Sequence, residues 1–187
     1  VLAWFAASLT PGEVAGRRVL EVGSYDVNGS VRPMVEAHGP VSYVGVDQTP
    51  GPRVDQVVPA GQLAGVFGAA AFDVVLSTEM LEHVADWQAA VAGMCEVLAP
   101  GGLLMFTTRS PGFPYHPFPV DCWRYTVDCV RGMMLAAGFR PVEVVDDPQA
   151  PGVFVRAWKP AGWVAPWRLR GLAAVFAGVA PQPVVAP

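Results

Sequence analysis

The chain has 187 residues, enough for one domain with a short appendage. With 52% hydrophobic and only 15% charged residues it is built to bury a core, and a net charge of −4 lacks the basic footprint of bulk nucleic-acid binding. Three cysteines without metal-site spacing argue against a disulfide framework and for core positions in a reducing cytosol.

In chain order, residues 1–16 read as an N-terminal helix or arm, with Leu2, Trp4, Phe5 and Leu9 apolar and Thr10-Pro11-Gly12 breaking it. Residues 17–23 form a buried strand. Asn28-Gly29-Ser30 starts a helix that Gly39-Pro40 stops. Strands follow at Val41 to Asp47 and at Val54 to Val58, then a weak helix at 60–68. Phe72 to Ser77 is a fourth strand. Asp86 caps a helix with Trp87, Val91, Met94 and Leu98 on one face, ended by Pro100-Gly101-Gly102. Leu103 to Thr108 is a fifth strand, and 109–122 is a proline-rich loop. A helix from Val127 to Ala137 closes at Gly138. Cys122 and Cys129, seven apart, share a face where the chain is helical. Strands at Arg140 to Val145 and Val153 to Trp158 complete the pattern. Strands alternating with helices give an α/β fold with a mostly parallel sheet, and the last two strands, joined by a turn, make the seventh antiparallel. The organisation is then an arm (1–16), a domain (17–159) and a Pro/Trp-rich tail (160–187). The tail is partly helical near 167–178, and its Trp163, Trp167, Arg168 and Arg170 suit a membrane surface or a partner helix as well as loose docking. No apolar run reaches the roughly 20 residues of a membrane span. The first residues lack a signal peptide's basic region and cleavage pattern, which sets a cytoplasmic expectation.

The densest signal is Val19-Leu20-Glu21-Val22-Gly23-Ser24, followed by Val44-Gly45-Val46-Asp47. Two apolar strands ending in acids present a nucleoside-cofactor site outside their carboxyl ends. The dinucleotide pattern G-x-G-x-x-G is missing, since Tyr25 and Asn28 stand where its second and third glycines belong. Glu21 would repel a pyrophosphate but welcome a cationic amino or sulfonium group, which favours S-adenosylmethionine over NAD. Gly23 and Gly29 also read as plain turn glycines, and Asp73 as a strand-start residue.

Those segments, with Phe72-Asp73-Val74-Val75-Leu76-Ser77-Thr78-Glu79-Met80-Leu81-Glu82-His83-Val84 and Leu98-Ala99-Pro100-Gly101-Gly102, resemble the successive motifs of class I S-adenosylmethionine-dependent methyltransferases. The resemblance covers about residues 17–158. It implies a Rossmann-like three-layer αβα sandwich whose seven-stranded sheet runs 3-2-1-4-5-7-6. It places Glu21 and the Gly23-Ser24 backbone near the methionine part of the cofactor, with Gly29 closing the loop. It assigns Asp47 to the ribose hydroxyls and Gln48 to the adenine, with Ser77, Thr78, Glu79 and Met80 on the methionine side. The chain departs from the family in its longer glycine loop. It departs again after the third strand, where Val58-Pro59-Ala60-Gly61 has no acid for the adenine and Gln62 or backbone must serve.

The segment Arg109 to Tyr125 follows the fifth strand and concentrates aromatic, His, Asp and Arg residues on a proline-stiffened loop, the usual setting for function. It resembles the acceptor side of some bacterial methyltransferases. His116 is the candidate base, with Asp121 orienting it. Arg109 and Arg124 suit a carboxylate or phosphate, and Tyr115 and Tyr125 contact an acceptor. The alternative reading has Trp123 and Tyr125 as anchors and Arg124 paired with Glu79 or Glu82. His83 reads as a structural histidine bonded to a nearby backbone group, with a base as the alternative. The expected activity is methyl transfer to an oxygen or nitrogen of a small molecule, such as a sugar or envelope-glycan precursor. Its rivals are a non-catalytic methyltransferase-like module and an NAD-dependent oxidoreductase or epimerase. No zinc signature and no metal are expected.

Overall fold

The structure, a computed structural model, describes residues 1–117, 119–164 and 178–186. Seven strands form one sheet: β1 (Arg18–Val22), β2 (Ser42–Asp47), β3 (Gln56–Val57), β4 (Phe72–Ser77), β5 (Leu98–Arg109), β7 (Val142–Asp146) and β8 (Gly152–Trp158). Their spatial order is β3-β2-β1-β4-β5-β8-β7, the 3-2-1-4-5-7-6 order expected once the seven are numbered among themselves. β1 runs parallel to β2 and β4, with Leu20 opposite Val44 and Val75, and β4 runs parallel to β5. β8 is antiparallel to both β5 and β7. The central strands read as near-continuous apolar runs because both faces are covered.

Alternation along β1 assigns the faces. Leu20 and Val22 enter one core with α4 (Leu63–Phe67), α5 (Trp87–Val97) and α6 (Val127–Ala136). Val19 enters the other, with α1 (Leu2–Ser8), α2 (Pro11–Val14) and α3 (Arg32–Glu36). This is the three-layer sandwich. Asp86 caps α5 by accepting from the Ala89 N–H at 3.0 Å, and Thr126 caps α6 by accepting from the Cys129 N–H at 3.1 Å. Buried Lys159 donates to the Cys95 and Leu98 carbonyls at the end of α5, where a cation complements the helix dipole. Asp73 pairs with Arg18 at 2.8 Å and so joins the starts of β4 and β1.

Several boundaries differ from the sequence reading. Thr10-Pro11-Gly12 starts a helix as well as breaking one: the Glu13 carboxylate accepts from Thr10 N–H at 2.8 Å, giving two helices in place of one arm. The helix after the glycine loop is shorter than expected, beginning only at Arg32. The weak 60–68 segment is a 3-10 turn (Ala60–Gln62) followed by α4, anchored by fully buried Leu63. Cys122 and Cys129 do not share a helix face, because Cys122 precedes the two-residue strand β6 (Trp123–Arg124) and only Cys129 lies on α6. In the tail, β9 (Gln182–Pro183) pairs antiparallel with β6, and Val184 N–H donates to the Cys122 carbonyl at 2.9 Å. Trp163 donates its indole N–H to the Ala137 carbonyl at 2.8 Å. The expected helix near 167–178, with Trp167, Arg168 and Arg170, lies outside the described residues apart from Gly178.

Candidate active site

The carboxyl ends of β1, β2 and β4 meet at one edge. Gly23 leaves β1 with a φ of +78°, a left-handed conformation that glycine adopts without strain. A Cβ there would come within 2.5 Å of the Met80 side chain, so the first turn and the segment after β4 touch through this missing group. The Gly23 and Ser24 N–H groups both donate to the Val46 carbonyl, at 2.8 and 3.0 Å, fastening the turn to β2. Gly45 leaves the space in which Ser24 sits. Asp47 straddles two turns: one oxygen accepts from Tyr25 N–H at 3.4 Å, the other from the Thr49 N–H and hydroxyl at 3.1 Å. Gln48 beside it is exposed. Gly29 is held by Asp26, which accepts its N–H at 2.8 Å.

Glu21 is buried on the Val19 face, where the Tyr43 hydroxyl donates to it at 2.6 Å. Burial pushes its carboxyl up to about 7, against the Tyr43 hydrogen bond and the Arg32 charge. At the end of β4, Glu79 takes a φ of +50°, strained for a residue with a side chain and a frequent mark of a functional turn. Its N–H donates to Thr107, and its carboxylate is ion-paired with Arg109. Burial and the nearby Glu82 charge raise Glu79 to about 7, while Arg109 opposes them. Thr78 and Met80 are half-buried. The Ser24 and Ser77 hydroxyls are buried with no hydrogen-bond partner among the described residues.

The loop after β5 is closed at its neck by Tyr125 N–H donating to the Arg109 carbonyl at 2.9 Å. Two of its expected acceptor-binding residues are spent inside it. Arg124 forms a bidentate pair with Asp121 at 2.5 and 2.7 Å and also donates to the Phe113, Pro114 and Trp123 carbonyls. Its partner is therefore Asp121, not Glu79 or Glu82, and both terminal nitrogens of the guanidinium are engaged within the loop. Tyr125 is fully buried, its hydroxyl donating to the Leu81 carbonyl, so it anchors the loop and does not face an acceptor. Trp123 anchors too, donating to the Ala85 carbonyl at 3.2 Å. Arg109 stands under the loop, paired with Glu79 and stacked 4.0 Å over the Phe113 ring. Tyr115 is exposed.

His116 accepts no such burial. Its backbone N–H donates to Asp121 at 2.9 Å, and its ring Nδ1 lies 3.1 Å from the same carboxylate. Its Nε2 faces Glu82 at 3.9 Å. Glu82 and Asp121 raise the imidazole above its usual range, Glu82 most, against partial burial. Burial raises the Asp121 carboxyl, but Arg124 and His116 outweigh it and hold the group at about 2. The sequence reading left Glu82, Thr107 and Thr108 out of the site. Thr108 donates its hydroxyl to Glu82 at 2.9 Å, and two consecutive threonines at a strand's carboxyl end are the signal that marks them.

The edge fits a nucleoside cofactor with a cationic end: two buried hydroxyls lack partners, a glycine admits close approach, and Glu21 and Glu79 supply acid. A seven-stranded sheet of this order with these motifs at its edge defines the class I S-adenosylmethionine-dependent methyltransferase fold. The chain belongs to the methyltransferase domain family, whose profile matches residues 5–144. An S-adenosylmethionine-dependent methyltransferase from Mesorhizobium loti superposes with a TM-score of 0.64 at 17% identity, covering 84% of this chain and 97% of that one. The Burkholderia thailandensis 1,6-didemethyltoxoflavin-N1-methyltransferase, solved with 1,6-didemethyltoxoflavin and S-adenosylhomocysteine, gives 0.64 at 18% identity, covering 85% and 78%. The ubiquinone biosynthesis O-methyltransferase of Aromatoleum aromaticum is 28% identical over 120 residues, 57% of this chain and 50% of its own length. The chain thus spans about half the length of that curated relative.

Proposed function

We propose that this chain transfers a methyl group from S-adenosylmethionine to an oxygen or nitrogen of a small-molecule acceptor, a sugar or glycan precursor among the candidates. The observation that carries the reading is the pair of buried, unpartnered hydroxyls of Ser24, in the turn after β1, and Ser77, at the carboxyl end of β4, with Asp47 at the end of β2. When bound, the cofactor supplies a methyl group on a positively charged sulfur, an activated leaving group.

The chain's own part is to bind, align and exclude water. Asp47 holds the ribose hydroxyls, with Gln48 beside the adenine. Gly23, Ser24, Gly29, Ser77, Thr78 and Met80 shape the methionine side. Glu21 and Glu79 complement its positive charge. His116, fixed at Nδ1 by Asp121, presents Nε2 to take the acceptor's proton, and exposed Tyr115 contacts the acceptor. Residues 17–159 are the catalytic unit, with 1–16 as an N-terminal cover and 160–187 as an appended segment.

The test is calorimetric titration of the full chain with S-adenosylmethionine and S-adenosylhomocysteine, with NAD as control. Micromolar binding of both sulfur nucleosides, weakened at least tenfold by Asp47→Ala, is the expected result. A folded protein that binds neither, or that binds NAD instead, overturns the reading.

A further inference from the structure

Three side chains converge from two segments next to the methyl-transfer edge. Glu82 and His83 stand in the 3-10 turn after β4, and His116 hangs from the loop after β5. Their ligating atoms all lie within 4.8 Å of one another. Glu82 is fully buried, and its Oε1 has no hydrogen-bond partner among the described residues. That oxygen faces His116 Nε2 at 3.9 Å and His83 Nε2 at 4.0 Å.

The far side of each group is held. His83 Nδ1 meets the Val120 carbonyl at 2.5 Å. His116 Nδ1 meets the Asp121 carboxylate at 3.1 Å and the Pro114 carbonyl at 3.2 Å. Thr108 Oγ1 donates to the second oxygen of Glu82 at 2.9 Å. Carbonyls and carboxylates only accept, so each neutral ring carries its proton on Nδ1 and turns the Nε2 lone pair inward. With both rings neutral, three acceptors face one another with no donor between them, an arrangement that a positive charge relieves, either a proton on His116 Nε2 or a metal ion. Outer partners on Nδ1 and on the second carboxylate oxygen are the supports that orient metal-binding histidines and carboxylates. Two imidazoles and one carboxylate suit zinc, cobalt, nickel or iron better than magnesium or calcium.

We propose that Glu82, His83 and His116 bind one divalent transition-metal ion. Metal–ligand distances of about 2.0–2.2 Å require the cluster to contract by roughly 1 Å, a movement within reach of the half-exposed His116 loop. The site does not depend on methyl transfer, since the ion would bind whether or not the chain holds a cofactor. Its consequence for the proposed reaction is specific: a bound ion would occupy the His116 Nε2 lone pair, so His116 would then hold metal and would not accept the acceptor's proton, and the ion would supply Lewis-acid character beside the acceptor.

The test uses the full chain, stripped by chelator and titrated with Zn²⁺ or Co²⁺ without cofactor. One equivalent is expected to bind. The three histidines give an internal control, since the His83 and His116 ring resonances should shift while His38 stays fixed. Glu82→Gln and His83→Gln should each weaken binding at least tenfold. His83 is only partly buried, unlike fully buried Glu82, so its variant serves if the Glu82 variant does not fold. Absence of stoichiometric binding, binding indifferent to His83→Gln, or a thiolate–cobalt absorption band assigning the metal to Cys122 would overturn the proposal.

Discussion

The cofactor edge and the acceptor loop contain similar residue types and use them in opposite ways. At the edge, Ser24 and Ser77 are buried without partners, and Glu21 and Glu79 are carboxyls lifted to about 7. In the loop, Asp121 and Arg124 satisfy each other, Arg124 also saturates three carbonyls, and Asp121 sits near 2. One region keeps hydrogen-bonding capacity in reserve, and the other consumes it to hold an irregular chain in place. Buried polar groups left unsatisfied are costly, so reserve at the edge is a mark of a binding surface.

The largest expected effect lies in the loop. Asp121→Asn leaves the buried Arg124 guanidinium without its charge partner and should lower unfolding stability by about 3 kcal/mol. Chemical denaturation checks it, and a loss below about 1 kcal/mol would show that the pair does not organise the loop. At the edge the order reverses. Asp47→Ala should cost at least tenfold in S-adenosylmethionine affinity, about 1.4 kcal/mol, yet change stability by less than about 1 kcal/mol, because only exposed turn hydrogen bonds are lost.

The two regions should also titrate in opposite senses. Glu21 has a folded value raised to about 7, so its contribution to stability is complete below the usual carboxylate range and is lost as pH rises through about 7. Asp121 has a depressed value, so its contribution is complete above that range and is lost as pH falls toward about 2. Glu21→Gln should therefore flatten the decline on the alkaline side and leave the acid limb unchanged in pH-dependent thermal denaturation. The smallest effect is the most discriminating. Ser77→Ala removes a buried hydroxyl without a partner, so stability should hold or rise by a few tenths of a kcal/mol while cofactor affinity falls several-fold.

The sheet was legible because its signals are local: apolar runs, helix caps and glycine turns each state their own structure, and the strand order followed from the motif resemblance. Asp86 and Gly138 act as read, and Asp73 sits at its strand start as read. The acceptor loop was less legible. Composition shows that Arg124 and Tyr125 are present, but whether their polar atoms remain available depends on carbonyls ten or more residues away, at Phe113, Pro114 and Leu81. The Glu82–His83–His116 cluster was hidden for the same reason, since its members come from separate segments and only the fold brings them together. The return of β9 onto β6 likewise joins residues far apart in the chain, with no periodicity to announce it.

The measurement that decides whether the reserved groups at the strand ends hold a nucleoside is a crystal structure of the S-adenosylhomocysteine complex. The ribose is expected on Asp47, the Ser24 and Ser77 hydroxyls newly hydrogen-bonded, Met80 moved off or packed along the ligand, and the sulfur pointing toward His116. A nucleoside bound elsewhere, or one bound at this edge with both serine hydroxyls still unpartnered, would contradict that expectation.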